Sequence, residues 1–258
     1  MSVVSIRGVN KWFDRREGEP LHVLQNIDIE VPARAIVALL GASGCGKSTL
    51  LNIIAGLIPP DSGTVLLDDV PSAEFRNWHS MTYMFQEDRL LPWRTAAQNV
   101  AFGLEAESLP ATERRRRARE TLALVGLAGF EDVYPHELSG GMRSRVALAR
   151  SLVTEPAILL MDEPFSKLDP SIRAQMHAEV LRIASLRKMT LIFVTHDVEE
   201  AIVLADHVVV LHPRPGRVGE ARAIDLPYPR NPLAPDVAEA VRGLRLGDVR
   251  RQRVARIG

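Results

Sequence analysis

The chain has 258 residues, with 32 Lys+Arg against 32 Asp+Glu, a formal net charge of zero and 46% hydrophobic residues. This composition excludes a mainly disordered chain, and the neutral balance argues against nonspecific nucleic-acid binding, which needs a large basic surface to displace counterions from phosphates. The single cysteine, Cys45, excludes an internal disulfide framework and fits a reducing compartment, while no apolar run approaches the ~18 residues of a membrane span and no signal peptide is expected at the N-terminus.

Taken in chain order, residues 3–6, 27–31, 36–40 and 64–67 read as short strands separated by Gly, Pro and Asp. The stretch 35–40 is nearly all apolar, which suits a central strand buried on both faces, and the Gly-rich loop after it leads into an apolar helix over 48–57. From about 87 to 157 the sequence is helical in character, clearest over 112–125 and 140–154. Strands return at 158–161, 191–194 and 208–211, and 170–187 reads as a helix between the first two. Such alternation predicts an α/β fold with a mainly parallel sheet. After Pro213 the composition shifts to Pro, Gly and Arg, with a terminal helix expected over 235–249.

Gly41, Ala42, Ser43, Gly44, Cys45, Gly46, Lys47, Ser48 and Thr49 match the phosphate-loop pattern GxxxxGK[ST] between a buried strand and a helix start. Glycines let successive N–H groups converge on one point, and the positive end of the following helix faces the same point. Lys47 is expected to reach the β- and γ-phosphates, Ser48 to give its hydroxyl to Mg²⁺, and Thr49 to add a contact near the phosphates. Cys45, at a helix start beside a phosphate site, is either a favoured thiolate or an inert small side chain.

The apolar run 157–161 ends in Asp162 and Glu163, which point in different directions along a strand. Asp162 then suits Mg²⁺, held through water, while Glu163 faces the γ-phosphate as base for, or orienter of, the attacking water. Ser139, Gly140 and Gly141 precede a helix and make a second anion-binding N-terminus with no lysine of its own. The metal expected from these oxygen donors is Mg²⁺; His207 and His212 do not have the spacing of a zinc pair.

Leu138-Ser139-Gly140-Gly141-Met142 closely resembles the signature segment of the ABC ATPases. With the phosphate loop, Asp162-Glu163, Ser166-Lys167-Leu168-Asp169 and Thr195-His196-Asp197, the chain resembles the nucleotide-binding subunit of an ABC transporter, in motif order and spacing, up to about Val218. The resemblance implies an ABC ATPase domain over 1–218, with an N-terminal antiparallel β-subdomain and a helical subdomain at about 87–157, followed by a C-terminal extension over 219–258. It implies that Gln86 contacts Mg²⁺ and the water, that His196 hydrogen-bonds the γ-phosphate, that Asp169 crosses a dimer interface, and that Phe13, with Trp12 as rival, stacks on adenine. It further implies two ATP sandwiched between two chains packed head to tail, either copies or a related pair. Three residues at two places depart from the family: Ser166-Lys167 stands where Gly-Ala is common, placing a charge where a partner packs, and Ser144 stands where Gln is common.

The segment Gln86 to Arg94, with Glu163-Pro164-Phe165 and Pro213 to Val218, is similar to the ATPases of nitrate/sulfonate/taurine-type importers. That resemblance implies permease subunits docking near Glu87, Leu90, Leu91 and Trp93, an external solute-binding protein, and a peripheral place on the cytoplasmic face of the membrane. Leu90, Leu91 and Trp93 read from sequence either as a docking surface or as residues folded into the helical insert. Arg114 to Arg117 with Arg119 read as a solvated helix face rather than a nucleic-acid site, since Glu113 and Glu120 interrupt them. The basic tail Arg250, Arg251, Arg253 and Arg256 is either frayed or close to anionic headgroups. The competing readings are a soluble ABC ATPase acting on nucleic acid or the ribosome, and a small-molecule kinase.

Overall fold

A computed structural model describes the backbone of residues 2–254 and the side chains of residues 3–244. The arginines of the basic tail therefore lie outside the described side chains. The strands are β1 (Ser2–Phe13), β2 (Leu21–Pro32), β3 (Ile36–Gly41), β4 (Ser62–Leu67), β5 (Val70–Pro71), β6 (Met81–Met84), β7 (Ile158–Asp162), β8 (Thr190–Thr195), β9 (His207–His212) and β10 (Arg217–Ala223). The helices are α1 (Lys47–Ile54), α2 (Ala96–Ala101), α3 (Ala111–Leu124), α4 (Gly140–Leu152), α5 (Pro170–Arg187), α6 (Val198–Leu204) and α7 (Pro235–Val254).

Two sheets organise these elements: an antiparallel one in the order β2-β1-β4-β5, and a second in the order β10-β9-β3-β8-β7-β6. In the second sheet β3, β6, β7, β8 and β9 are parallel and only β10 runs against its neighbour. The near-continuous apolar runs of its central strands follow from cover on both faces. Ile36, Ala38 and Leu40 of β3 face the core shared with α4, α5 and α6, while Val37 and Leu39 face the core shared with α1 and the antiparallel sheet. Leu191 and Phe193 against Ile192 and Val194 divide β8 in the same way. Strand alternation thus splits one sheet between two hydrophobic layers.

The region from Ala96 to Leu152 holds α2, α3 and α4, packed around Val100, Leu122, Val146 and Ala149. Thr95 caps α2 in a capping box with Gln98. Buried Asn99 donates to the carbonyls of Leu91, Arg94 and Thr95 and accepts from the Leu91 amide, which fixes the chain entering α2. In that entering segment Leu90 is 9% exposed and belongs to the core, Leu91 is half-buried, and Trp93 is 70% exposed. The docking surface expected from all three apolar residues is therefore corrected for Leu90, whose side chain packs into the core. On α3, Arg116 and Arg117 pair with Glu113, and Arg116 also with Glu120.

β10 pairs with β9 from Arg217↔His212 to Ala223↔His207, so the sheet continues across residue 218, where the C-terminal extension is expected to begin. Beyond it, buried Arg230 donates to the carbonyls of Ile202 and Ala205, at the end of α6, and to those of Ile224 and Leu226. The segment leading to α7 is thereby fastened to α6.

Candidate active site

β3 delivers Gly41 to the C-terminal edge of the parallel sheet, and the chain turns through Ala42, Ser43, Gly44, Cys45 and Gly46 into α1 at Lys47. Gly46 takes φ 94°, a conformation that favours glycine, and a Cβ there would press on the Leu24 side chain at 2.6 Å. Gly46 caps α1 without a side-chain hydrogen bond, and the first turn holds no acidic residue. The helix thus presents its N-terminal amides and positive end to the loop. Lys47 is buried, and its ammonium donates to the carbonyls of Gly41 at 2.8 Å and Ala42 at 3.0 Å. Cys45 is 1% exposed, and burial pushes its thiol above its ordinary value, against the smaller lowering effect of Lys47. Of the two readings open for Cys45, its place in the core is that of the inert small side chain.

At the end of β7, Asp162 accepts from the Ser48 hydroxyl at 2.9 Å and from the Tyr83 hydroxyl at 3.3 Å. Burial raises the Asp162 carboxyl above the ordinary carboxylate value; the two hydroxyls oppose this, while neighbouring Glu163 adds to it. Tyr83, on β6, is a site residue that none of the sequence motifs includes. It is pushed above the usual phenol range by burial first and by Asp162 second.

Glu163 sits just past β7 with φ 45°, a strained backbone for a residue with a side chain, and its amide donates to the Val194 carbonyl of β8. This turn carries its carboxylate toward β8, where His196 Nδ1 lies 3.4 Å from Glu163 Oε2. The carboxylate is 20% exposed and the imidazole 54% exposed. Gln86 Nε2 reaches Ser166 Oγ at 3.4 Å, and Ser166 in turn donates to the Glu163 carbonyl at 2.9 Å. Lys167 pairs with Glu87 of its own chain at 3.2 Å, which gives the departure at 166–167 an intramolecular partner in the loop after Gln86.

Ser139 is the N-cap of α4, its hydroxyl accepting from the Met142 amide, and Gly141 lies where a Cβ would meet Ile172 of α5 at 2.7 Å. Ser144 donates to the Gly140 carbonyl. Asp169 caps α5 through the Ile172 amide. Phe13 is 41% exposed, whereas Trp12 stacks on His22 with centroids 4.2 Å apart. The structure thus gathers Lys47, Ser48, Asp162, Glu163, His196 and Gln86 at one sheet edge. No hydrogen bond or ion pair among the described residues joins Ser139, Asp169 or Phe13 to residues 41–49.

A glycine loop between strand and helix, with a hydroxyl-bearing Ser48 against an acidic strand end, defines a nucleoside-triphosphate-binding α/β protein. The sequence model of the ABC transporter family matches residues 24–166, and the chain belongs to that family. It is 48% identical over 232 residues to an uncharacterised ABC transporter ATP-binding protein of Methanocaldococcus jannaschii, covering 88% of this chain and 84% of that one. It is 46% identical over 211 residues to a taurine import ATP-binding protein of Rhizobium johnstonii, covering 80% and 78%. An aliphatic sulfonates import ATP-binding protein of Bacillus cereus is 41% identical, with 88% of each chain covered. Among solved structures, a dimeric ATP-binding cassette in a post-hydrolysis state, bound to ADP and Pi, superimposes with TM-score 0.76 at 28% identity, over 86% of this chain and 99% of that one. No described helix is long and apolar enough to cross a membrane.

Proposed function

We propose that this chain is the ATP-binding and ATP-hydrolysing subunit of an importer for a small solute, of the class that includes nitrate, sulfonates and taurine. The observation that carries the reading is the contact of His196 with Glu163 beside the Ser48–Asp162 pair, all at the carboxyl edge of one parallel sheet. Residues 41–49 cradle the phosphates, with the Lys47 ammonium moving from the loop carbonyls to the β- and γ-phosphate oxygens. Ser48 Oγ and Asp162 Oδ1 are hard oxygen donors 2.9 Å apart, a set that fits Mg²⁺, with Gln86 within the same site. Bound there, Mg²⁺ would neutralise charge on the β- and γ-phosphates. Glu163 orients and deprotonates the attacking water, and His196 holds the γ-phosphate side of that water.

Two chains, identical or related, pack head to tail, so that Ser139, Gly140 and Gly141 of one close over the nucleotide of the other and Asp169 approaches the interface. Phe13 stacks on adenine, since Trp12, about as exposed, is already stacked on His22. Exposed Trp93 and Glu87, with half-buried Leu91, face the permease, leaving Leu90 as the buried support behind them. The division into an ATPase unit over 1–218, with its helical subdomain near 87–157, and an extension over 219–258 is part of this reading. The chain works at the inner face of the membrane through the permease, and an external binding protein presents the solute. ATP shifts the pair of chains toward the closed state because it binds that state better.

The test is light scattering of Glu163→Gln with Mg-ATP, beside wild type and Glu163→Gln/Ser139→Arg. A dimer in the first that is lost in the last supports the shared two-site mechanism. Loss of ATP binding in Glu163→Gln overturns the site assignment.

A further inference from the structure

We infer that Arg173 and His177, one turn apart on α5, are positioning residues that hold the Glu163–His196 pair in register and tie it to the 166–169 loop. The inference rests on the ATPase reading of that pair. Residues four apart share a helix face, so α5 presents both side chains to the same neighbours.

Arg173 is a bridge between two loops. One end of its guanidinium donates to the Leu168 carbonyl at 3.1 Å, and another atom lies 3.7 Å from Asp197 Oδ2. Asp197 follows His196 directly and caps α6, accepting from the amides of Glu199 and Glu200. The Arg173 Nε makes no hydrogen bond, so the polar contacts of this guanidinium are those to Leu168 and Asp197.

His177 makes the second bridge. Its Nε2 lies 3.1 Å from Glu200 Oε1, with side chains only 13% and 7% exposed, and its ring meets the edge of Phe165 with centroids 4.7 Å apart. Phe165 is two residues past Glu163, and Glu200 is four past His196. The two bridges close a circuit: Glu163 to His196 by direct contact, His196 to Asp197 and Glu200 along the chain, these to Arg173 and His177 across to α5, and α5 back to Leu168 and Phe165. A buried polar pair such as His177–Glu200 contributes little net stability compared with an apolar pair of the same volume. Its directional bond does fix the rotation of α6 relative to α5, and with it the aim of His196. The Leu168 contact adds a consequence: displacement of the 166–169 loop reaches His196 through one guanidinium.

The experiment is steady-state ATP hydrolysis by the full chain, with melting temperature and fluorescent-ATP affinity measured on the same preparations. The variants are Arg173→Ala, Arg173→Lys, His177→Phe and His177→Gln, each made also in a His196→Ala background. Arg173→Ala and His177→Phe should each lower kcat about tenfold, with KM and ATP affinity within about twofold, because misaiming a reacting group acts on the chemical step. His177→Gln should recover most of the loss, since it restores a hydrogen bond to Glu200. In the His196→Ala background the further loss should vanish. Wild-type kcat in folded Arg173→Ala and His177→Phe overturns the inference, as does an undiminished tenfold loss when His196 is already gone. A wild-type chain without ATPase activity overturns the functional reading itself, so the two failures are distinguishable.

Discussion

Ser48 donates its hydroxyl to Asp162 at 2.9 Å although the two residues lie 114 positions apart, and the same carboxylate takes a second hydroxyl from Tyr83. Its two hydrogen-bond donors are neutral hydroxyls, and burial leaves it above its ordinary value against them and the nearby Lys47 ammonium. A group raised in the folded state keeps its proton longer there than in the unfolded chain. Stability from this group therefore falls as pH rises through the interval between the ordinary and the raised value.

Asp162→Asn should accordingly raise the melting temperature of the protein without added nucleotide at neutral pH, on the order of a few degrees. The gain should vanish below the ordinary carboxylate range, where Asp162 is protonated in both states. Mg²⁺-dependent hydrolysis should be lost in the same variant. Calorimetry across pH decides it, and equal melting temperatures at neutral pH would contradict the burial argument.

Cys45 should resist thiol reagents in the folded protein at neutral pH and react readily once urea unfolds it, because its thiol is buried and raised. Stopped-flow absorbance with a chromogenic disulfide reads both rates. Fast native modification at the rate of a free thiol would show that the loop opens far more than its packing implies.

Gly216 sits against the phosphate loop from behind. Its amide donates to the Val23 carbonyl and its carbonyl accepts from the Gln25 amide, both at 2.8 Å. A Cβ there would collide with the Cys45 carbonyl and stand 2.9 Å from the Val23 carbonyl. Gly216→Ala should cost about 1–3 kcal/mol of stability and weaken ATP binding, since backbone must move to admit the methyl group. Thermal melting and fluorescent-ATP titration measure the two effects, and unchanged affinity would mean that the displacement is absorbed away from the loop.

Leu90 and Trp93 separate core from surface within four residues. Leu90→Ala should destabilise the chain by about 2–5 kcal/mol as a core truncation. Trp93→Ala should leave stability within about 0.5 kcal/mol and the isolated ATPase rate unchanged, while reducing co-purification with the permease. Denaturant unfolding and a pull-down from detergent-solubilised membranes test the pair. Undiminished capture of the permease by folded Trp93→Ala would remove that side chain from the docking surface.

The parts of the fold legible in the sequence are those where one physical demand dominates. β3, β7, β8 and β9 announce themselves because cover on both faces leaves little room for polar residues, and the phosphate loop because only glycine tolerates the turn at Gly46. β1 and β2 run well beyond the expected 3–6 and 27–31, since their outer residues face solvent and register shifts interrupt the alternation. β10 is hidden for a similar reason: as an edge strand it carries Arg217 and Arg222 at exposed positions and a half-buried Glu220. Within the site, Asp162 and Glu163 could be read from their place at a strand end. The Tyr83 contact could not, because it depends on β6 lying beside β7, a neighbour relation that no local pattern encodes. The burial of Leu90 likewise depends on long-range packing into the core, which no local pattern encodes.

β3 lies between β8 and β9, and Gly216 closes the seam behind the loop that β3 carries. During synthesis the phosphate loop precedes β8 and β9, which flank its strand, by a long stretch of chain. Until those strands emerge the apolar β3 has neither lateral partner, and its exposed edges need cover by other means. Until the chain beyond β9 folds back onto residues 23–25, the phosphate loop lacks its support from behind.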